Sequence, residues 1–450
     1  MKTFMASGAM CVAAVLLCAG GQAWAQGQFF TDPLSGAEFS RIGAVNNPAY
    51  GGQDPFNIGV TGRGSVGYEY SIGRFEVTTA QWVEFYNAAF ARPDPLPIPE
   101  GTRFLVPAQW GAIRDSSYTG PGRRWVVNPS VPNAGMRGVA VSWRTAAIYC
   151  NWLHNNKSTD ASAFLSGAYD VSTFSAIDFP TFTDQASRSP GARYWIPSWD
   201  EWLKAVHYDP LKLNLDGSLG GWWQGPLGSD ALPVYGPPVG FPNGSAANQA
   251  NSDWSGPNFP GARVPLGAYP NAQTPWGLLD AAGGTGEWTE TIYTVGGAMY
   301  RFSEGSEWDD DASGDEVFLA GGAFSPDAIS TDIGLRIATS IPQPGILATT
   351  IPCFWYALRR SRRRAENTKE HRHGQSSFGR RGGGCSVVSS DLQVRRVNRC
   401  RSRCTTARGR WCSQRRTSQA VVRSILEVSA RVWRGSTSSV LVVGWLMWAA

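Results

Sequence analysis

GVAVSWRTAAIYCNWLHNN, Gly138 to Asn156, is the stretch on which the fold turns. Ser142 offers a hydroxyl where a helix can start. Trp143, Ala146, Cys150 and Leu153 then share one helical face, a spacing that predicts a buried side. His154, Asn155 and Asn156 make a natural end. Two other segments read the same way. Thr78 can cap a helix and Gln81, three residues on, can reach back to it. Trp82, Phe85, Tyr86 and Ala89 follow on one face. Ser198 opens the third helix, Glu201 completes a second capping box, and Trp202, Ala205 and Val206 supply its buried side.

Between these helices no long period survives. Pro and Gly cluster at 92–101, 225–244 and 256–276. Short strands are expected at Phe104–Val106, Trp125–Asn128, Phe318–Ala320 and Leu335–Ala338. Few helices, many short strands and large ordered loops predict a compact, loop-rich α+β domain over 66–340, with 26–65 as a lead-in. There is no internal repeat.

The ends differ from this body. Residues 1–25 read as a secretory signal: Lys2, an apolar run Met10–Ala19 too short to span a bilayer, and the small-x-small site Ala23-Trp24-Ala25. The expected location is therefore extracytoplasmic, secreted or at the cell surface. From Ile341 onward there are 20 Arg and 1 Lys against 4 acidic residues, which leaves 19 basic against 31 acidic in 1–340. The body is acidic, so no nucleic-acid partner is expected for it. Of eight cysteines, Cys11 and Cys18 belong to the signal, and Cys353, Cys385, Cys400, Cys404 and Cys412 to the tail. Cys150 is alone in the body, which excludes a disulfide framework there. A body of about 310 residues needs none to bury a core.

Residues 341–364 resemble a PEP-CTERM sorting signal: Pro342-Gln343-Pro344, an apolar run Gly345–Leu358 and the Arg359–Arg364 cluster. Gln343 replaces the usual Glu, Pro352 interrupts the run, and 86 residues follow. Any membrane contact is expected only through this segment. Residues 365–450 are Arg- and Ser-rich without amphipathic period, the composition of a disordered segment or of translation past a frameshift.

Six segments of the body arrive in the order of the formylglycine-generating enzyme (sulfatase-modifying factor) family. Ile72 to Thr78 is similar to the family's opening strand and helix start. Gly138 to Leu153 resembles its Ser-Trp helix, and Ile196 to Trp202 its second capped helix. Trp276-Gly277-Leu278-Leu279-Asp280, leading to Gly283 and then Glu287-Trp288-Thr289, resembles its Gly-rich turn. Gly321-Gly322-Ala323-Phe324 stands where the family has a Gly-Gly-Ser-Trp motif, and Gly334 to Ala338 matches its closing segment. The resemblance implies that family's loop-rich fold, related to C-type-lectin-like domains.

It also implies chemistry. The family's oxidase binds copper through two cysteines after the Gly-Gly motif, since soft thiolates suit Cu(I). Those positions fall at or near Pro326 and Thr331, and no cysteine occurs from Asn151 to Pro352. No copper is expected, and no catalytic residue is assigned. Related iron-dependent enzymes need a histidine cluster that His154 and His207 cannot supply. A structural calcium site is better kept. Carried over, its ligands are Asp280, the carbonyls of Gly283 and Thr285, and Glu287, with Asn248 at a second site near Asn251 or Asp253. Oxygen donors in a tight turn suit a hard cation.

The residues also have plainer readings. Trp152, Trp202 and Trp288 are expected as core aromatics with satisfied N–H groups. Cys150 is expected as a small buried hydrophobe, and Arg336 in a structural charge pair. His154 and His207 should cap helices or face solvent. The acidic stretch Glu304, Glu307, Asp309, Asp310, Asp311, Asp315 and Glu316 should be a solvated loop. The expectation is a non-catalytic, calcium-stabilised module for a glycan or protein at the cell surface. The alternatives are a family enzyme with altered chemistry or a purely structural envelope protein.

Overall fold

A computed structural model describes residues 28–340 except 101, 177–178, 236–237, 239–248, 251–263, 309, 311, 320–321 and 330–331. The signal, the sorting segment, the Arg-rich tail, Asn248, Asn251, Asp253 and Thr331 lie outside the described residues.

All three expected helices form, each with the cap its sequence offers. In α1 (Thr79–Phe90) the Thr78 hydroxyl accepts from Gln81 N–H, and the Gln81 side chain accepts from Thr78 N–H. In α2 (Trp143–His154) the Ser142 hydroxyl accepts from Thr145 N–H. A short helix, α3 (Ser162–Leu165), is an addition. In α4 (Trp199–His207) Ser198 and Glu201 close the second capping box. Each such cap satisfies N–H groups that a helix start leaves orphaned, an effect of about 1 kcal/mol.

The strands are β1 (Phe29–Thr31), β2 (Glu38–Ile42), β3 (Tyr70–Gly73), β4 (Ala112–Arg114), β5 (Trp125–Val127), β6 (Tyr194–Trp195), β7 (Tyr208–Leu213), β8 (Leu219–Trp222), β9 (Val234–Tyr235), β10 (Gln249–Ala250), β11 (Gly286–Val295), β12 (Ala298–Glu304), β13 (Gly322–Phe324), β14 (Ile333–Gly334) and β15 (Ala338–Thr339). One sheet runs β1-β2-β3-β15-β6 and a second β13-β12-β11-β14. The rest pair in twos: β4 with β5, β7 with β8, β9 with β10. β1 and β2 bring the lead-in segment into the same sheet as β3.

The main core lies where α1 meets α2. Phe85 touches Tyr149 and Trp152, with ring centroids 5.2 and 5.5 Å apart, and Trp82 touches Tyr149 at 5.9 Å. Leu153, Phe164 and Cys150 are fully buried there. A second cluster gathers Trp199, Trp202, Leu203 and Phe302 under α4.

Three strand expectations need correction. Phe104–Val106 forms no strand; Phe104 is an aromatic anchor, its ring 5.0 Å from Phe90 and 6.2 Å from Phe85. Phe318 and Leu319 form a turn and a link. Leu335–Ile337 joins β14 to β15, and only Ala338 of that run is in a strand. The apolar content of these runs serves burial, which an irregular segment can do as well as a strand. The longest hairpin, β11–β12, is not among the expected strands. Its signal is Gly296-Gly297 between β-branched and aromatic runs. Both glycines have positive φ, 58° and 81°, as tight hairpin loops favour.

Candidate functional site: the 280–287 turn

The 276–289 segment crosses from the main core to β11. Asp280 sits at φ 54°, Gly283 at 69° and Gly284 at 85°. Three left-handed residues in five fold the chain back on itself, and glycine takes that conformation at least cost. Asp280 is partly exposed, and its Oδ2 accepts from Gly267 N–H at 2.6 Å. Gly283 N–H donates to the Ser306 hydroxyl at 2.9 Å.

Glu287 and Arg336 meet beneath the turn, both essentially without solvent contact. The Arg336 Nε reaches both Glu287 oxygens at 2.9 Å, and Nη2 reaches Oε1 at 2.6 Å. The Trp202 indole N–H donates to Glu287 Oε2 at 2.6 Å. Arg336 also donates to the carbonyls of Gly73, Leu279 and Asp280. The expected charge pair of Arg336 is therefore with Glu287, and it knits β3, the turn and β11 together. Although burial works against it, Glu287 and then Glu76 and Asp280 hold the guanidinium pKa above its usual value.

A third carboxylate stands here that the sequence reading passed over. Glu76 is buried, with Oε1 accepting from Thr285 N–H at 3.4 Å. Burial, then Glu287 and Asp280, push its pKa well above the carboxylate range, against the pull of Arg336. Burial lifts Asp280 to about 6, opposed by the Gly267 N–H and Arg336. Glu76 lies in the first resembling segment, whose sequence points only to a strand and the start of α1. Its sole signal is a charged residue between the apolar Phe75 and Val77, of which Val77 is buried.

The turn thus gathers Asp280, Gly283, Thr285 and Glu287, while Asn248 lies outside the described residues. Among the described residues no three His, Cys, Asp or Glu side chains form a group that could hold a metal ion. A cation here must also draw on hydroxyl and carbonyl oxygens. Such donors are present, and Glu76 Oε2 and Thr285 Oγ1, both buried, lack a hydrogen-bond partner. That donor chemistry fits calcium.

The acidic stretch from Glu304 to Glu316 departs from the expected solvated loop at two residues, while Asp310 is exposed and Asp309 and Asp311 lie outside the described residues. Glu304 and Asp315 are buried, and Asp315 Oδ1 accepts from Ser306 N–H at 2.8 Å. Glu304 lies opposite Glu287 in the β11–β12 ladder, and burial raises its pKa well above normal.

At the place of the family's first cysteine, Pro326 is buried and its carbonyl accepts from Arg144 N–H at 3.1 Å, in the first turn of α2. Phe324 lies edge-on to Trp288 at 6.0 Å. Cys150 is fully buried on α2, and burial drives its thiol pKa well up. The Trp288 N–H donates to Val141 carbonyl at 2.6 Å, but Trp152 N–H has no partner, contrary to expectation. His154 ends α2 and accepts from Arg193 N–H at 3.1 Å. His207 is buried rather than exposed, and burial lowers its pKa to about 3.

Residues 63–341 match the family described as Sulfatase-modifying factor enzyme 1-like domain. A mouse (Mus musculus) protein described as inactive C-alpha-formylglycine-generating enzyme 2 is 25% identical over 226 residues, which cover 48% of this chain and 55% of that protein. The match spans about half the length of that relative. Solved structures that are similar include CarF, at 20% identity and TM-score 0.40, covering 68% of this chain and all of that one. Another is variable protein 1 of Treponema denticola, at 17% identity and TM-score 0.37, covering 70% and 99%. PvdO of Pseudomonas aeruginosa is 15% identical, with TM-score 0.35, covering 71% and 100%.

Proposed function

The chain belongs to the sulfatase-modifying factor enzyme 1-like family, and from that premise we propose that it is an exported, non-catalytic binding module stabilised by calcium. One observation carries the reading: the body's single thiol, Cys150, is fully buried with its pKa driven up. Thiolate is the reactive and copper-binding form of cysteine, and this environment suppresses it. Pro326, at or near the first expected thiolate, offers none. The mouse relative's description as inactive agrees with this.

Calcium would be held at the 280–287 turn by Asp280 and the carbonyls of Gly283 and Thr285, with Glu287 already tied to Arg336. Its contribution would be structural, drawing the turn onto β11. A ligand bound only to the folded state at a hundred times its Kd adds about 2.7 kcal/mol. Chelation should therefore lower the melting temperature. The partner class is a glycan or protein at the cell surface, which a glycan array probed with the purified protein tests.

The competing reading is an oxidase of altered chemistry. Incubation with a sulfatase-type cysteine peptide separates the two. The expected result is no formylglycine and no stoichiometric copper. Peptide oxidation that disappears in Cys150→Ser would overturn the proposal.

A further inference from the structure

We propose that the β4–β5 hairpin is a docking surface for an acidic glycan, one that carries carboxylate or sulfate groups. The inference rests on the binding-module reading above and deepens it, by naming a surface and a partner chemistry.

Charge is segregated in this body. From Thr102 to Thr159 there are seven basic residues and one acidic, Asp115, whereas the rest of 1–340 has 12 basic and 30 acidic. Some of the seven are engaged within the fold: Arg144 pairs with Asp184, Lys157 with Glu84, and Arg103 reaches Asp327. The hairpin carries three others. Arg114 and Arg123 are exposed and, among the described residues, have no ion-pair partner. Arg124 is 52% exposed, and its contact with Asp115 is long, 3.8 Å. Asp115 is already occupied, accepting from the Ser117 hydroxyl at 2.5 Å and the Ser117 N–H at 3.0 Å.

The hairpin is set before any ligand arrives. Its register puts Arg114 opposite Trp125, and the ladder runs on through the Asp115 N–H, which donates to the Arg124 carbonyl at 2.9 Å. The three arginines therefore gather at one end. The Asn87 side chain, on α1, accepts from the Trp125 N–H and donates to the Trp125 carbonyl, both at 2.8 Å. Gly122, at φ 75°, packs so closely on the end of α1 that a Cβ there would lie 2.0 Å from the Phe90 carbonyl oxygen. Groups on a fixed frame lose less entropy on binding.

Each guanidinium offers a planar fork that grips a carboxylate or sulfate through two N–H···O bonds. Tyr118 stands half-buried beside them, its ring 5.7 Å from the Arg124 guanidinium, and Ser116 and Thr119 are exposed. The ring can pack on the C–H face of a sugar, and the hydroxyls can bond its O–H groups. An acidic polypeptide would need a well-buried apolar anchor, and between Ala112 and Val127 only Ile113, 41% exposed, is an exposed aliphatic side chain. The acidic remainder of the body repels an extended phosphate chain or an anionic lipid surface.

Hydrogen–deuterium exchange of the full chain, resolved by peptide, reads this hairpin separately from the Arg-rich tail. The probes are trigalacturonic acid, a chondroitin sulfate disaccharide, neutral maltotriose and a hexaglutamate peptide. An acidic sugar should slow exchange over 112–127 saturably, less so as salt rises from about 50 to about 300 mM, and maltotriose should not. Arg114→Gln/Arg123→Gln should raise the midpoint about tenfold or more at an unchanged melting temperature. Arg63→Gln, on another surface, should leave it unchanged. Should the double variant melt lower, phenylglyoxal labelling of wild type replaces it, and an acidic sugar should slow the labelling of Arg114 and Arg123. Unslowed labelling, equal protection in the double variant, or no protection by either acidic sugar overturns the inference. So does protection by hexaglutamate alone, which would make the partner an acidic protein. Protection by maltotriose elsewhere on the body overturns this surface and leaves the binding-module reading standing, whereas oxidation of the cysteine peptide by wild type overturns that reading itself.

Discussion

The α1–α2 core and the cluster around Arg336 are both largely buried and opposite in kind. The first joins Trp82, Phe85, Tyr149, Trp152 and Leu153 through apolar contact. The second holds Glu76, Asp280 and Glu287 on a single guanidinium. Apolar burial is non-directional, and its loss scales with the volume removed. A buried charge cluster is all-or-none, because removing one member leaves the others uncompensated. The molecule therefore has one region that degrades gradually and one that fails at a point.

The largest expected effect tests the second region. Arg336→Met should cost about 3–5 kcal/mol or more in chemical denaturation, since it strands buried carboxylates. Adding Glu287→Gln should recover part of that loss, and a strictly additive double-mutant cycle would remove the distinction between the regions. Next comes the apolar core. Leu153→Ala should cost about 2–5 kcal/mol. Unlike the Arg336 effect, it should be insensitive to pH between 5 and 8.

The third test concerns pH. Burial lifts Glu290 to about 7, although Arg188 opposes it. Between about 4.5 and 7 the folded chain then binds this proton and the unfolded chain does not, so stability falls as pH rises through that window. His207 acts in the opposite sense. Its folded value near 3 lies below the unfolded 6.5, so the unfolded chain binds the extra proton and stability rises with pH up to 6.5. The two oppose each other up to 6.5, and just above it Glu290 acts without His207, in the same sense as the other buried carboxylates with raised pKa, Glu76 and Glu304. Glu290→Gln should gain on wild type as pH rises from 5 to 7.5, by at most about 1.4 kcal/mol per pH unit. A constant difference across that range would mean that Glu290 is already ionised in the fold.

The smallest effect lies outside both regions. Leu213 and Leu219 face each other across β7–β8 and are 71% and 64% exposed. Leu213→Ser should change stability by no more than about 0.5 kcal/mol.

Each region was legible to a different degree. The helices of the apolar core could be read because caps and apolar spacing are local. Thr78 with Gln81, and Ser198 with Glu201, are three residues apart. The Arg336 pairing was anticipated in kind but not in partner. Glu76 was not anticipated, because its meaning depends on residues 138, 285, 287 and 336, which only the fold brings near. The same holds for Glu304, which seemed part of an exposed acidic run until the β11–β12 register set it against Glu287. Charge patterning shows which residues ionise in water, whereas burial is decided by chain segments far away.

The strand order β1-β2-β3-β15-β6 has a consequence in time. β15, Ala338–Thr339, is the last strand of the described chain, and it lies between β3 and β6. At roughly 5–20 residues per second, a ribosome needs about 10–50 s after finishing β3 to complete β15. Throughout that interval β3 presents an unpaired edge on that side, a template for wrong partners. Closing a sheet across so many residues is also intrinsically slow. Vectorial synthesis thus cannot finish this sheet early, and a holdase that keeps the chain open until its last strand emerges would raise the yield of folded protein.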